Sequence, residues 1–280
     1  MQIRPGNPQR LYEFGPAAEV FLQNSINNFP LDTAIVHQKI QNSDYDFTSP
    51  DAYDKGFPAL DYLLFGIGND DAEIINKLST NVQIKTYFDK VLEDIKTRVE
   101  ATATGWETYR ATFIANTGTA AGSSLSLIVN SFNQNYEYIK RDKLGIPSGV
   151  LTLGFTNPTK VEAYYGKNST TLALTALEIS RQLYKGKDGL GLDDYLQAIG
   201  TKKGDKTLDA VIQEQFEIAI QEVYLLGLGN TPLSEIVENE PNRVVNAYNE
   251  VTKQLINIKT DMPSVLCVSI TYIDNPSDSD

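Results

Sequence analysis

The stretch VQIKTYFDKVLEDIKTRVEATATGWETYRATFIAN, residues 82–116, decides the fold class of this chain. Its apolar side chains recur mostly at steps of three, four or seven residues, the spacing of one face of an α-helix. The pattern predicts one helix over residues 82–116, and a helix of that length is typical of a helical bundle. The residues that carry the pattern are Tyr87, Phe88, Val91, Leu92, Ile95, Val99, Trp106 and Phe113.

The same period predicts further long helices on both sides of the middle of the chain. Strand-like runs occur only at 150–153 and 265–272, and both are too short to distinguish from buried helix. The sequence therefore predicts an all-α fold. The further helices span Ser123 to Lys140, Thr171 to Tyr184, the segment between Asp205 and Gly227, and Pro241 to Lys259.

Two internal echoes suggest a duplication. A Gly, apolar, Asp-Tyr-Leu pattern begins at Gly56 and returns at Gly189, and Ile139-Lys140 is echoed more weakly by Ile258-Lys259. A stretch rich in Gly and Pro separates the copies. We therefore expect two related helical bundles with a cleft between them. Their predicted bounds are 1–145 for the N-terminal bundle, 146–158 for the connector and 159–280 for the C-terminal bundle.

Composition restricts the partners. The chain has 280 residues and a formal net charge of −12, and its Lys and Arg residues cluster no further than pairs, so a nucleic-acid backbone would be repelled. It contains no run of about eighteen apolar residues and begins without the apolar core of a signal peptide. We expect no transmembrane segment, and either a cytosolic protein or one whose leader is not part of this chain. The single cysteine, Cys267, is predicted to be a small buried hydrophobe.

A motif-like segment runs from Gly56 to Gly66, GFPALDYLLFG. Pro58 suits the first turn of a helix that Gly66 ends. A short buried helix is one interpretation, and a pocket wall that carries Asp61 and Tyr62 is the other.

Gly56, Phe57, Pro58 and Asp61 resemble the Gly-x-His-x-x-Glu segment of the imelysin-like proteins, with Pro58 at the position of His and Asp61 at that of Glu. The resemblance continues through Phe14–Ala17, Asn28–Asp32, Lys143–Pro147 and Asp261–Pro263. It implies a pair of helical bundles, a place in the periplasm or at the outer-membrane surface, and a role in bacterial iron uptake. It also implies a leader or lipid anchor and further helices before Phe14, so we expect the first bundle to lack its first helices.

The family is also described as metallopeptidases, but this chain contains one histidine, whereas zinc peptidase sites need several ligands. No Glu follows His37 at one or three positions further along the chain, so we predict that His37 is a surface or capping residue. A hard divalent cation held by carboxylates alone is an alternative, although solvated loops explain the acidic residues better. The candidates are Asp44, Asp46, Asp51, Asp54, Asp70, Asp71 and the tail from Asp274.

Aromatic and polar residues occur together between Glu162 and Ser169, just before a predicted helix, which is a composition suited to a small-molecule pocket. In the imelysin-like proteins the corresponding segment lies near the motif, so the resemblance implies that this turn lies close to Asp61 and Tyr62. The predicted ligand-binding residues are Asp61, Tyr62, Glu162, Tyr164, Tyr165 and Ser169, with Arg141 as a contact for an anionic group.

Three functional hypotheses follow. The first is a non-catalytic, imelysin-like binding protein of the cell envelope with an iron or haem ligand, which acts with envelope transport components. The second is a divergent metallopeptidase. The third is a structural surface module without a small-molecule ligand.

Overall fold

The computed structural model describes residues 22–49 and 52–271. These residues are almost entirely helical, which confirms the predicted all-α class. The strands in this part of the chain are Lys202–Lys203 and Lys206–Thr207, which pair antiparallel in a hairpin that the sequence did not predict. Within the same residues, no helix has both the length and the hydropathy needed to cross a membrane.

Contacts divide the chain into two units. The first comprises Met1–Ala115 and Glu162–Lys167, and the second comprises Asn116–Val161 and Asn168–Asp280. This division differs from the predicted boundary within 146–158, because residues 116–145 pack with later helices. The ring of Tyr136, for example, lies 5.8 Å from that of Phe216.

The first unit is built around one long helix. That helix matches the predicted span to within one residue and buries Tyr87 and Val91 against the shorter helices. The Asp32 carboxylate caps the second helix by accepting the backbone N–H groups of Ala34 and Ile35 at 3.0 and 3.1 Å. The helices are α1 Leu22–Ile26, α2 Thr33–Asn42, α3 Gly56–Phe65, α4 Asp71–Thr80 and α5 Val82–Ala115.

The second unit packs a larger set of helices around Phe216 and its neighbours. Two of its predicted helices are extended by π-helical segments, Ile139–Gly145 and Ile256–Asp261. Ser123 caps the first helix of the unit by accepting the backbone N–H of Ser126 at 3.2 Å. The helices are α6 Ser124–Tyr138, α7 Ile146–Ser148, α8 Ser169–Tyr184, α9 Leu192–Ile199, α10 Leu208–Gly227, α11 Leu233–Asn239, α12 Pro241–Leu255 and α13 Met262–Val265.

The two apolar runs that the sequence left ambiguous between strand and buried helix are not strands: residues 150–153 form turns, and residues 268–271 have no regular secondary structure. One prediction about local structure is wrong, because Cys267 is exposed rather than buried. It follows the end of α13 with a left-handed backbone (φ 54°), which turns Leu266 and Val268 inward and the thiol outward.

The pairing of Gly56 with Gly189 is not reproduced in the local structure. Gly56 begins α3 and is buried, whereas Gly189 is exposed and donates its N–H to the carbonyl of Gly186 in a turn before α9. An internal duplication stays a prediction that this pair does not support.

Candidate functional site

The centre of the site is the contact between α3 and the turn formed by residues 162–167, both of which belong to the first unit. The Asp61 carboxylate accepts the backbone N–H of Tyr165 through Oδ2 and that of Gly166 through Oδ1, each at 2.9 Å. Such charge-assisted bonds are stronger than bonds between neutral groups. Asp61 therefore anchors a turn that lies about a hundred residues further along the chain.

Glycine at position 66 allows the turn to approach the end of α3. A Cβ atom built on Gly66 would lie 2.2 Å from Cδ1 of Tyr165, so the tyrosine ring occupies the space that any side chain would need. The same ring lies 5.0 Å, centroid to centroid, from the ring of Tyr62. The turn is thus held by two backbone hydrogen bonds and by aromatic packing.

Tyr62 also contacts the chain's one histidine. Nε2 of His37 lies 2.6 Å from the hydroxyl oxygen of Tyr62, and the two rings meet edge to face with centroids 5.7 Å apart. Tyr62 is 7% exposed, whereas His37 is exposed on α2. Burial raises the pKa of the Tyr62 hydroxyl, and the nearby Lys77 opposes that shift.

The Asp61 carboxylate is half-buried, and burial raises its pKa above the ordinary value. The two backbone N–H groups lower the pKa but do not cancel the effect of burial, and Glu162 adds to the rise. Ionisation of Asp61 therefore disfavours the folded state relative to the unfolded chain.

This shift predicts a pH-dependent difference between the wild type and Asp61→Asn. Because the folded pKa is raised, the stabilisation from Asp61 is complete below its unfolded pKa and is lost as the pH rises through the folded pKa. Urea unfolding followed by the fluorescence of Trp106 reports on the first unit. We expect the wild type to lose stability relative to Asp61→Asn as the pH rises above the ordinary aspartate pKa of about 4. A pH-independent difference, or one of opposite slope, would contradict this assignment.

The structure brings together five of the predicted site residues and places two in the other unit. Glu162 accepts a hydrogen bond from Nδ2 of Asn27 at 2.6 Å, and the Tyr164 ring, 36% exposed, lies 5.1 Å from that of Tyr165. Arg141 and Ser169 belong to the second unit. There, Arg141 pairs with Asp142 at 3.4 Å, and Ser169 begins α8. The ligand-binding roles of all seven residues stay predictions.

Sequence reasoning missed His37, which no local motif distinguishes. Its contact with Tyr62 joins two helices separated by 25 positions in sequence. One signal was available. Because His37 is the only histidine of the chain, any site that needs an imidazole has to use it.

The metal implied by the metallopeptidase description does not fit the motif residues. Pro58 carries no ligand atom, and both Asp61 oxygens already accept backbone N–H groups. Over residues 22–49 and 52–271, no group of three or more His, Cys, Asp and Glu side chains is placed to hold a metal ion.

Several of the acidic loop residues proposed for a hard cation serve the local structure instead. Asp54 pairs with Lys39 at 2.6 Å. Asp46 accepts the backbone N–H and the hydroxyl of Thr48. Asp70 caps α4. Asp51 and the tail from Asp274 lie outside the described residues.

Comparison with known proteins agrees with this architecture. The imelysin (peptidase M75) family model matches residues 10–258. The chain therefore belongs to the imelysin family. It is also similar to a crystal structure from Parabacteroides distasonis that is described as a "putative iron-regulated protein A precursor". The identity is 16% and the TM-score is 0.63, with 86% of this chain and 75% of that chain covered, a likeness that shows the fold. No curated protein matches the chain significantly.

Proposed function

We propose that this chain is a non-catalytic imelysin-family binding protein of the cell envelope that acts in iron or haem acquisition. It would work at the periplasmic or outer-membrane surface, with or without a lipid anchor, and deliver its ligand to envelope transport components. The description of the Parabacteroides protein as iron-regulated supports the iron-related part of this proposal.

The observation that carries the proposal is the state of the motif carboxylate. A zinc peptidase needs metal ligands, an open coordination position and a base for the attacking water. Asp61 stands where the family Glu would be, yet it holds the Tyr165-Gly166 backbone, and Pro58 stands where the family His would be. In this proposal Asp61 holds the turn of residues 162–167 for ligand binding, and neither Asp61 nor Pro58 activates water.

The surroundings of that turn suit binding. Tyr164 presents a partly exposed ring at its tip, and Phe65, 54% exposed, lies beside Gly166. Phe57 is also half exposed, at the start of the same helix. Aromatic side chains with a few fixed polar groups are the usual lining of small-molecule sites.

The test combines binding and cleavage on the full chain. Purified protein is dialysed to equilibrium against radioactive ferric nitrilotriacetate and, separately, against radioactive haemin, and is incubated with casein with and without a chelator. We expect uptake of at least one iron compound and no cleavage. Absence of uptake of both probes would overturn the binding role. Chelator-sensitive cleavage that Asp61→Ala abolishes would support a metallopeptidase instead.

A further inference from the structure

The motif helix lacks a histidine of its own but receives one from another helix. Position 58 is proline, while the single imidazole of the chain, on α2, meets the motif helix at Tyr62. The pair joins a phenol, whose conjugate base binds hard metal ions through oxygen, to an imidazole that can accept its proton.

We propose that Tyr62 and His37 form a ferric-iron site, in which the Tyr62 oxygen bonds to Fe(III) and the phenolic proton passes to Nε2 of His37. This inference rests on the proposed function and specifies the ligand chemistry of the same site. The remaining coordination positions of the iron are filled by a small chelator or by the porphyrin of haem. Tyrosine is an established axial ligand of haem iron.

The hydrogen bond prepares the tyrosine for this role. At 2.6 Å, the His37 nitrogen is close enough to receive the proton without moving. A phenol is protonated at neutral pH, so a metal that binds its oxygen must displace the proton. A neighbouring base therefore lowers the free energy needed to form the phenolate, as groups hydrogen-bonded to a ligand generally do.

The packing fixes the phenol ring in place. The ring of Tyr165 packs against that of Tyr62, tilted by 59° with the centroids 5.0 Å apart, and Asp61 holds Tyr165 by its backbone. In this arrangement Asp61 is a positioning residue, because it orients the turn and need not touch the metal.

Access to the pair is from the His37 side. His37 is exposed and its side chain can swing aside, which would uncover the Tyr62 hydroxyl, since Tyr62 itself is only 7% exposed. The exposed ring of Phe65, one helical turn from Tyr62, offers an apolar surface that would suit a flat ligand such as haem.

The experiment titrates the full chain with ferric nitrilotriacetate in one arm and haemin in the other. In the first arm, a phenolate-to-iron charge-transfer absorption is the direct signature of the bond. In the second, the Soret band and the electron paramagnetic resonance spectrum report tyrosine ligation. Metal-free protoporphyrin IX, which has no iron to bond to Tyr62, measures the binding of the porphyrin to the apolar surface alone. Comparison of the two arms shows whether the protein binds an iron chelate or haem.

Tyr62→Phe keeps the ring that packs against Tyr165 and removes only the ligand oxygen, so we expect it to abolish the charge-transfer or tyrosinate signature. We expect His37→Gln to weaken iron binding by about 10- to 100-fold, the range for loss of a group that supports a metal ligand. The matched control is Tyr224→Phe, at an exposed tyrosine of the second unit, which should bind like the wild type.

The outcomes separate this inference from the proposed function. Iron uptake with an unchanged spectrum and affinity in Tyr62→Phe would overturn the ferric site and leave the binding function intact. Uptake of neither iron compound by the wild type would overturn both.

Discussion

Gly56→Ala is expected to lower the free energy of unfolding of the first unit by about 3 kcal/mol or more. Gly56 has a φ of +72°, a conformation that disfavours any residue with a Cβ atom. The added Cβ would lie 2.2 Å from the carbonyl oxygen of Ile26, and a backbone atom cannot turn aside as a flexible side chain can. The two costs act together because α3 and α1 meet at this point.

Urea unfolding followed by circular dichroism measures both units, and the fluorescence of Trp106, the only tryptophan, assigns a loss to the first unit. Gly189→Ala is the matched control, since the nearest atom to its Cβ would be 3.7 Å away and no positive φ is required. We expect Gly189→Ala to change the free energy of unfolding by no more than about 0.5 kcal/mol, as most surface substitutions do. An equal, small effect of both variants would show that the contact between Gly56 and Ile26 relaxes easily.

The helices were largely predictable because their cause is local. Apolar periodicity predicted α5 to within one residue, and α10 and α12 begin close to the predicted starts after Asp205 and at Pro241. The short apolar runs stayed ambiguous because, without a partner strand, four or five apolar residues can equally form a strand, a helix or a turn.

The units were harder to predict because their boundary is set by long-range packing. A linker rich in Gly and Pro indicated a division after residue 145, but α6 buries Phe132 and Tyr136 with the later helices. Conversely, residues 162–167 join the first unit through the bonds to Asp61. No sequence pattern specifies which distant backbone N–H groups a carboxylate will accept.

The site was predictable in part. The resemblance to the imelysin-like proteins, in which the corresponding segment lies near the motif, correctly implied that Asp61 and Tyr62 lie close to the turn at Tyr164-Tyr165. The sequence could not show that Asp61 serves the backbone of that turn, nor that His37 reaches Tyr62 from a neighbouring helix. Both contacts depend on the tertiary structure, because the partners of a side chain are set by the packing of distant segments and not by the local sequence.

A buried charge cluster beside the first π-helical segment gives the other large expected effect. Glu137 is 8% exposed and Lys140 is 1% exposed. The Glu137 carboxylate pairs with Nζ of Lys140 at 2.9 Å and with Nζ of Lys259 at 2.8 Å. It thereby links the residues at the first π-helical segment to the second π-helical segment within the same unit.

Glu137→Ala is therefore expected to lower the free energy of unfolding by about 3–5 kcal/mol, the usual loss when one partner of a buried ion pair is removed. The charge, rather than the packing, is tested by Glu137→Gln, which retains the shape and an acceptor and should cause a smaller loss. Glu214→Ala, which breaks an exposed pair with Lys206, is the surface control and should change stability by no more than about 1 kcal/mol.

Hydrogen exchange of the amides in residues 133–145, read by mass spectrometry, locates the effect, because local opening exposes exactly those amides that the lost contact had protected. We expect faster exchange there in Glu137→Ala than in Glu214→Ala. If exchange and stability in Glu137→Ala match the surface control, the two lysines are held in place without the carboxylate, and the link between the π-helical segments depends on backbone packing alone.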